Sequence, residues 1–171
     1  MNINLFKPIS IRGRVAYGIS CFHTYVTQVY PSEDFSSVLD LACQITEEAD
    51  YIDISSQKYM EIIPEYLYEF DNYKEAEFEY LSEEAYKHFV NLIPADDNDL
   101  GLIMHAIWQI AWEYCYNSID KYARGTFPYL ETIIEVMERR QLPLPVISKY
   151  KTFSFEVNDG WGGYINRKEY I

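Results

Sequence analysis

The chain is short of the residues that would staple, anchor or charge it positively. It has three cysteines among 171 residues, Cys21, Cys43 and Cys115, an odd number set far apart in apolar helical patterns. That excludes a disulfide scaffold and fits buried free thiols in a reducing cytosol. No long hydrophobic run exists: the most apolar stretch, Leu102 to Trp112, is too short to span a bilayer and carries His105 and Gln109. The first residues, MNINLFKPIS, lack the charged start and apolar run of a secretory signal. A cytoplasmic protein with no membrane partner is therefore expected. Basic residues are scarce, 14 Lys and Arg against 27 Asp and Glu, for a net charge of −13. Such a surface repels phosphates, so nucleic acid is not an expected partner and a basic protein surface is.

Catalytic signatures are missing as well. There is no GxSxG, Walker loop, GxGxxG after a strand or HExxH. His23, His88 and His105 fall on three separate helical segments, and no pair has the i,i+4 spacing of metal ligands. The acidic run Asp96 to Asp99 resembles the start of a calcium loop. Counted from Asp97, however, the required Gly and Glu positions hold Leu102 and Trp108. It reads as the acidic start of a helix. No enzyme, cofactor or metal is expected.

What is present is helical patterning. Ile11, Val15, Ile19, Phe22, Val26 and Val29 mark one helical face, with Ser10 as cap and Pro31 as terminator. A second helix is predicted from a Ser32 cap, burying Phe35, Val38, Ala42, Ile45 and Ala49. Residues 54–72 are predicted helical with a kink or break at Pro64. The alternation in 73–81 fits a strand or an exposed helix. Ser82 starts a further helix, buried through Tyr86, Phe89, Val90 and Ile93. The longest helix is predicted from Asn98 or Asp99 to Arg124, about 40 Å, with Ile107, Trp108 and Ile110 buried in the middle of the fold. Trp112, Cys115 and Ile119 continue its apolar pattern, and Gly125 suits its C-terminal cap. Thr126 and Pro128 restart a helix through Leu130, Ile133, Ile134 and Met137, with Arg139 and Arg140 in its last turn.

The pattern changes at Leu142. Leu142 to Val146 reads as an extended connector, and Phe153, Phe155 and Val157 alternate with polar residues as in a strand. Asn158 to Gly163 reads as a tight turn, with Trp161 expected to plug the tail onto the helices. The expected architecture is one mainly α domain over 1–171. It comprises a multi-helix bundle at about 10–141 and a short extended or β C-terminal segment at about 142–171.

Charge is concentrated. Residues 33–99 hold 19 acids and only Lys58, Lys74 and Lys87, and nine of those acids lie within 61–84. Tyrosines are interleaved with them. Carboxylates steer a basic partner and rings anchor it. The candidate partner-binding residues are therefore Glu65, Tyr66, Tyr68, Glu69, Asp71, Tyr73, Glu75, Glu77 and Glu79.

The connector PLP, the FSFE segment and the GWG turn, together with LGLIMHAIWQIAWEY at 100–114, resemble bacterial immunity proteins of polymorphic toxin systems. That resemblance implies a small cytoplasmic protein that binds and blocks a cognate toxin domain, a basic nuclease being the expected class. Two other readings stay open on the residues alone. One is an acidic adaptor or DNA-mimic module; the other is a helical metal-dependent hydrolase.

Overall fold

Helix α1, Ile11–Val29, is the axis around which the other elements assemble. Every residue from Ile11 to Phe22 is buried, including Arg12 and Arg14. Ser10 caps it, its hydroxyl accepting the Gly13 N–H at 3.1 Å. The computed structural model describes residues 1–47 and 52–171. Against α1 pack α2 (Ser36–Glu47), α6 (Asn98–Trp112) and α7 (Phe127–Arg139); α3 (Ile52–Met60) lies across α2 and α6. The single turn α4 (Pro64–Leu67) and α5 (Glu83–Leu92) complete the helices. Gly18 sits where three helices meet. A Cβ there would lie 2.9 Å from Ile107 Cγ1 and 3.1 Å from Ile133 Cδ1, so α1 approaches α6 and α7 more closely than any larger residue allows. Ile107 and Ile110 are fully buried and Trp108 is 7% exposed, as the apolar periodicity predicts.

Several expectations need correction. The second helix begins at Ser36, not after Ser32: Pro31 to Glu33 form a turn, and the Asp34 carboxylate takes the free Ser36 N–H at 2.9 Å. Ala49 lies outside the described residues. Pro64 divides 54–72 into α3 and α4 as predicted, but 73–81 is neither strand nor helix; it is a chain of turns and bends. Of the residues expected to bury the helix after Ser82, Phe89 and the capping Ile93 are buried, but Tyr86 and Val90 are half-buried.

The long helix stops at Trp112, after about 22 Å, although the apolar pattern runs on. The chain instead folds back through 113–123 and enters the left-handed region at Tyr122 (φ 68°) and Ala123 (φ 44°). Arg14 holds this turn. Its guanidinium, fully buried, donates to the carbonyls of Ala123 at 2.8 Å, Tyr122 at 2.7 Å and Phe6 at 3.1 Å, and to the Thr126 hydroxyl at 2.8 Å. Left-handed backbone at non-glycine residues costs about 1–3 kcal/mol, and this fan of bonds offsets it. Burial pushes Arg14 down to about 10, which still leaves it charged at neutral pH.

The predicted C-terminal strand is replaced by 3₁₀ turns, Ile147–Thr152, Asn158–Gly160 and Arg167–Glu169. Its pairing is reduced to an isolated antiparallel bridge between Ile9 and Ser154. The tail is nonetheless well fixed. The Phe153 carbonyl accepts from Ser10 N–H at 2.8 Å, and the Trp161 carbonyl accepts from Arg12 N–H at 3.1 Å. Tyr150 donates to Ser20 Oγ at 2.6 Å. Asp159, Gly160 and Gly162 carry positive φ in the turn around Trp161, which packs half-buried against the core as expected. The last residues reach α2, where Arg167 pairs with Glu47 at 3.0 Å and with Asp40.

Candidate functional site

α4 and the irregular segment that follows it carry the acidic surface. Pro64 at the first position starts α4 without loss of a needed N–H. The turn then presents Glu65 outward and Leu67 inward. Glu65 Oε2 meets His105 Nδ1 of α6 at 2.9 Å. Glu69, Asp71, Glu75, Glu77 and Glu79 are all exposed. Among the described residues no lysine or arginine pairs with any of these six carboxylates. Their field is felt by the neighbouring phenol: the Tyr66 hydroxyl is pushed up by burial and then by the charges of Glu65 and Glu69.

The three tyrosines have structural contacts within the bundle. Each is half-buried and points its hydroxyl or ring into the protein. Tyr66 packs edge-on to Trp108, centroids 5.6 Å apart. Tyr68 reaches the carbonyls at the end of α5, Val90 at 3.0 Å and also Ile93. Tyr73 donates to the Leu81 carbonyl at 2.9 Å, stacks on Phe78 and packs at a tilt against Tyr86. These rings hold the acidic segment to the bundle and expose little for a partner.

Glu61 is the residue that composition hides. It is one of the nine acids in 61–84, but it is 6% exposed. Its carboxylate accepts three consecutive backbone N–H groups. Glu79 donates to Oε1 at 2.6 Å, Tyr80 to both oxygens at 3.2 and 3.0 Å, and Leu81 to Oε2 at 2.7 Å. A run of turns without a hydrogen-bond ladder needs such a partner, since buried N–H groups are costly unpaired. No sequence signal separates Glu61 from its exposed neighbours.

Two clefts flank α4. The larger, about 660 Å³, is lined by Pro64, Glu65, Tyr68, Asp97, Leu102 and His105. The smaller, about 430 Å³, has an apolar floor of Phe70, Phe78 and Tyr66 and a rim of Glu69, Glu75 and Glu77. Six of the nine predicted residues thus line one cleft or the other, and Asp71, Tyr73 and Glu79 line neither. An apolar pocket ringed by carboxylates suits a cationic, partly apolar protein segment.

The other candidates have structural partners. Asp97 caps α6 and accepts from Tyr25 at 2.8 Å and Tyr30 at 2.5 Å; Asp99 binds Arg139 and Arg140 at the end of α7. The DDND run is therefore a helix start tied to α1 and α7. His88 bonds Ser37 at 2.9 Å, far from the His105–Glu65 pair in sequence and in partners. Among the described residues no three His, Cys, Asp or Glu side chains converge to hold a metal ion. Nor, among them, is any helix long and apolar enough to cross a membrane.

Compared with known proteins, the chain matches no protein-family model, no curated protein and no solved structure.

Proposed function

We propose that this chain is an immunity protein that binds and neutralises a cognate bacterial toxin domain with a basic surface, a nuclease being the expected class. One observation carries the reading: Glu65, Glu69, Asp71, Glu75, Glu77 and Glu79 stand exposed on one segment and, among the described residues, no lysine or arginine pairs with them. Like charges gathered without counter-charges cost stability, a cost that a basic partner removes. The resemblance in the α6 and C-terminal motifs supports the same reading. Inhibition would be steric. A nuclease cleft lined with cations for phosphate accepts carboxylates in the same places, and they are not substrates.

The test is association measured by surface plasmon resonance against the product of the reading frame beside the gene, at two salt concentrations. The expected rate approaches ~10⁸ M⁻¹s⁻¹ at low salt and falls with added salt. Reversal of Glu75, Glu77 and Glu79 to lysine should slow association by about tenfold or more. Reversal of Glu131 and Glu135, exposed on α7 outside the acidic stretch, should matter less. A salt-independent rate untouched by the first set would refute the electrostatic surface. Absence of binding to the neighbouring product would refute the immunity role.

A further inference from the structure

Where α6 ends, an aromatic corner faces solvent. The Trp112 and Tyr116 rings meet edge to face, centroids 5.4 Å apart at 71°. Tyr116 is 72% exposed, far more than the tyrosines of the acidic segment. Trp112 is backed by Trp108, stacked at 6.1 Å and 28°, and Trp108 is in turn braced by Tyr66 and His105. The row runs from the core to the surface: Trp112 packs half-buried against the core, and Tyr116 stands out from it. Asp53 of α3 completes the corner, accepting the Tyr116 hydroxyl at 3.3 Å. Tyr80, at the end of the acidic segment, lies on the same side, half-exposed and bonded to Gln57 of α3 at 3.2 Å. Asp53 adds its charge to the environment of both Tyr116 and Tyr80.

We infer that this corner is the anchoring pocket for a cationic side chain, an arginine in particular, presented by a basic protein partner. The inference rests on the reading of the acidic segment as a surface for such a partner and adds where that partner is gripped. An exposed tyrosine ring set edge to face with a tryptophan, with the Asp53 carboxylate beside it, matches a planar guanidinium, which stacks on the ring while its N–H groups meet the acid. A lysine gains the charge but not the stacking. Among the described residues no lysine or arginine of this chain lies over either ring; the cation–ring contacts it makes fall on Tyr25, Tyr122, Phe127, Phe155 and Tyr164. The acidic segment steers and the corner holds, so the two affect different rate constants.

The test uses the full chain with a nona-arginine peptide and a nona-lysine peptide as probes, followed by tryptophan fluorescence and calorimetry at several salt concentrations. The expected result is tighter binding of the arginine peptide, by about three- to tenfold. Tyr116→Ala should erase that preference while leaving the salt dependence unchanged, and Tyr116→Phe should keep it, since the ring and not the hydroxyl is used. Tyr116 is exposed, so the alanine variant should melt like the wild type. Replacing Glu75, Glu77 and Glu79 by glutamine should flatten the salt dependence for both peptides and leave the arginine preference in place. Equal binding of the two peptides, or an arginine preference that survives Tyr116→Ala, overturns the corner while leaving the acidic surface standing. A salt dependence unchanged in the glutamine variant overturns the acidic surface instead.

Discussion

Replacing Glu61 tests how the acidic surface is held in place. Its carboxylate receives the N–H groups of Glu79, Tyr80 and Leu81, at distances down to 2.6 Å. Hydrogen bonds to a charged group contribute about 1.5–3 kcal/mol each, so three of them represent roughly 5–9 kcal/mol within the folded segment. The loss on mutation is smaller. Once released, the segment can peel away and give its N–H groups back to water. The cost is then limited to what tethered the segment, about 2–4 kcal/mol. Glu61→Gln is the cleanest change, because it keeps the shape and places an NH₂ donor against backbone donors. The assay is amide hydrogen exchange at residues 79–81, with the Ser20 and Ile107 amides as core references. At about 1.4 kcal/mol per tenfold, protection at 79–81 should fall by roughly 30- to 1,000-fold. The core amides should lose only what global stability loses. If protection at 79–81 stays within threefold of wild type, the carboxylate is not what holds the segment.

Three further outcomes are expected. Arg14→Met keeps the volume but leaves the carbonyls of Phe6, Tyr122 and Ala123 without their buried donor, and should cost about 3–5 kcal/mol in urea unfolding at unchanged slope; a loss under 1 kcal/mol would mean the turn at 120–126 stands without it. Trp161→Ala should lower stability by about 1–3 kcal/mol, as expected for a half-buried indole, and leave partner binding within twofold; a variant of normal stability that no longer binds would make Trp161 a contact instead. Glu47 is held below its ordinary value by the hydrogen bonds and charge of Arg167, so its contribution is present above about pH 4.5 and disappears as pH falls through the depressed folded value. Urea midpoints followed from neutral pH to about pH 3 should therefore decline less steeply in Glu47→Gln than in wild type, and parallel curves would contradict the tail clamp.

The parts of this fold that were legible in the sequence are those decided locally. Ser10 and Ser82 cap helices because their hydroxyls reach N–H groups three residues on, and Pro64 breaks a helix through its own ring. The end of α6 was not legible. Cys115 and Ile119 prolong the apolar pattern, yet the backbone turns at Trp112 because Arg14, more than a hundred residues earlier, collects the carbonyls of Tyr122 and Ala123. Tyr114 adds a second tie, bonding Asp120 and receiving the Gly125 N–H at 2.9 Å. The acidic surface was legible as composition, since carboxylates in such density must mostly face water. Which of them faces inward was not: Glu61 differs from Glu65 only in what the segment 79–81 brings to it. The hydrogen bonds of Tyr68 and Tyr73 are hidden for a related reason, because a phenol beside the carbonyls of Val90, Ile93 or Leu81 turns its hydroxyl inward. The early end of α6 also leaves Trp112 half-buried at its last turn and Tyr116 exposed beyond it.

The burial of α1 from Ile11 to Phe22 has a consequence for biosynthesis. The elements that cover it are α6, α7 and the turn beginning at Ile147, all encoded much later in the chain. At about 5–20 residues per second, translation from the end of α1 to the end of α7 takes roughly 5–20 s. During that interval a helix buried from Ile11 to Phe22, with two arginines embedded in it, lacks most of its cover. A ribosome-bound chain arrested before α6 should therefore be captured by chaperones or digested by protease at α1. One arrested beyond the tail should resist both.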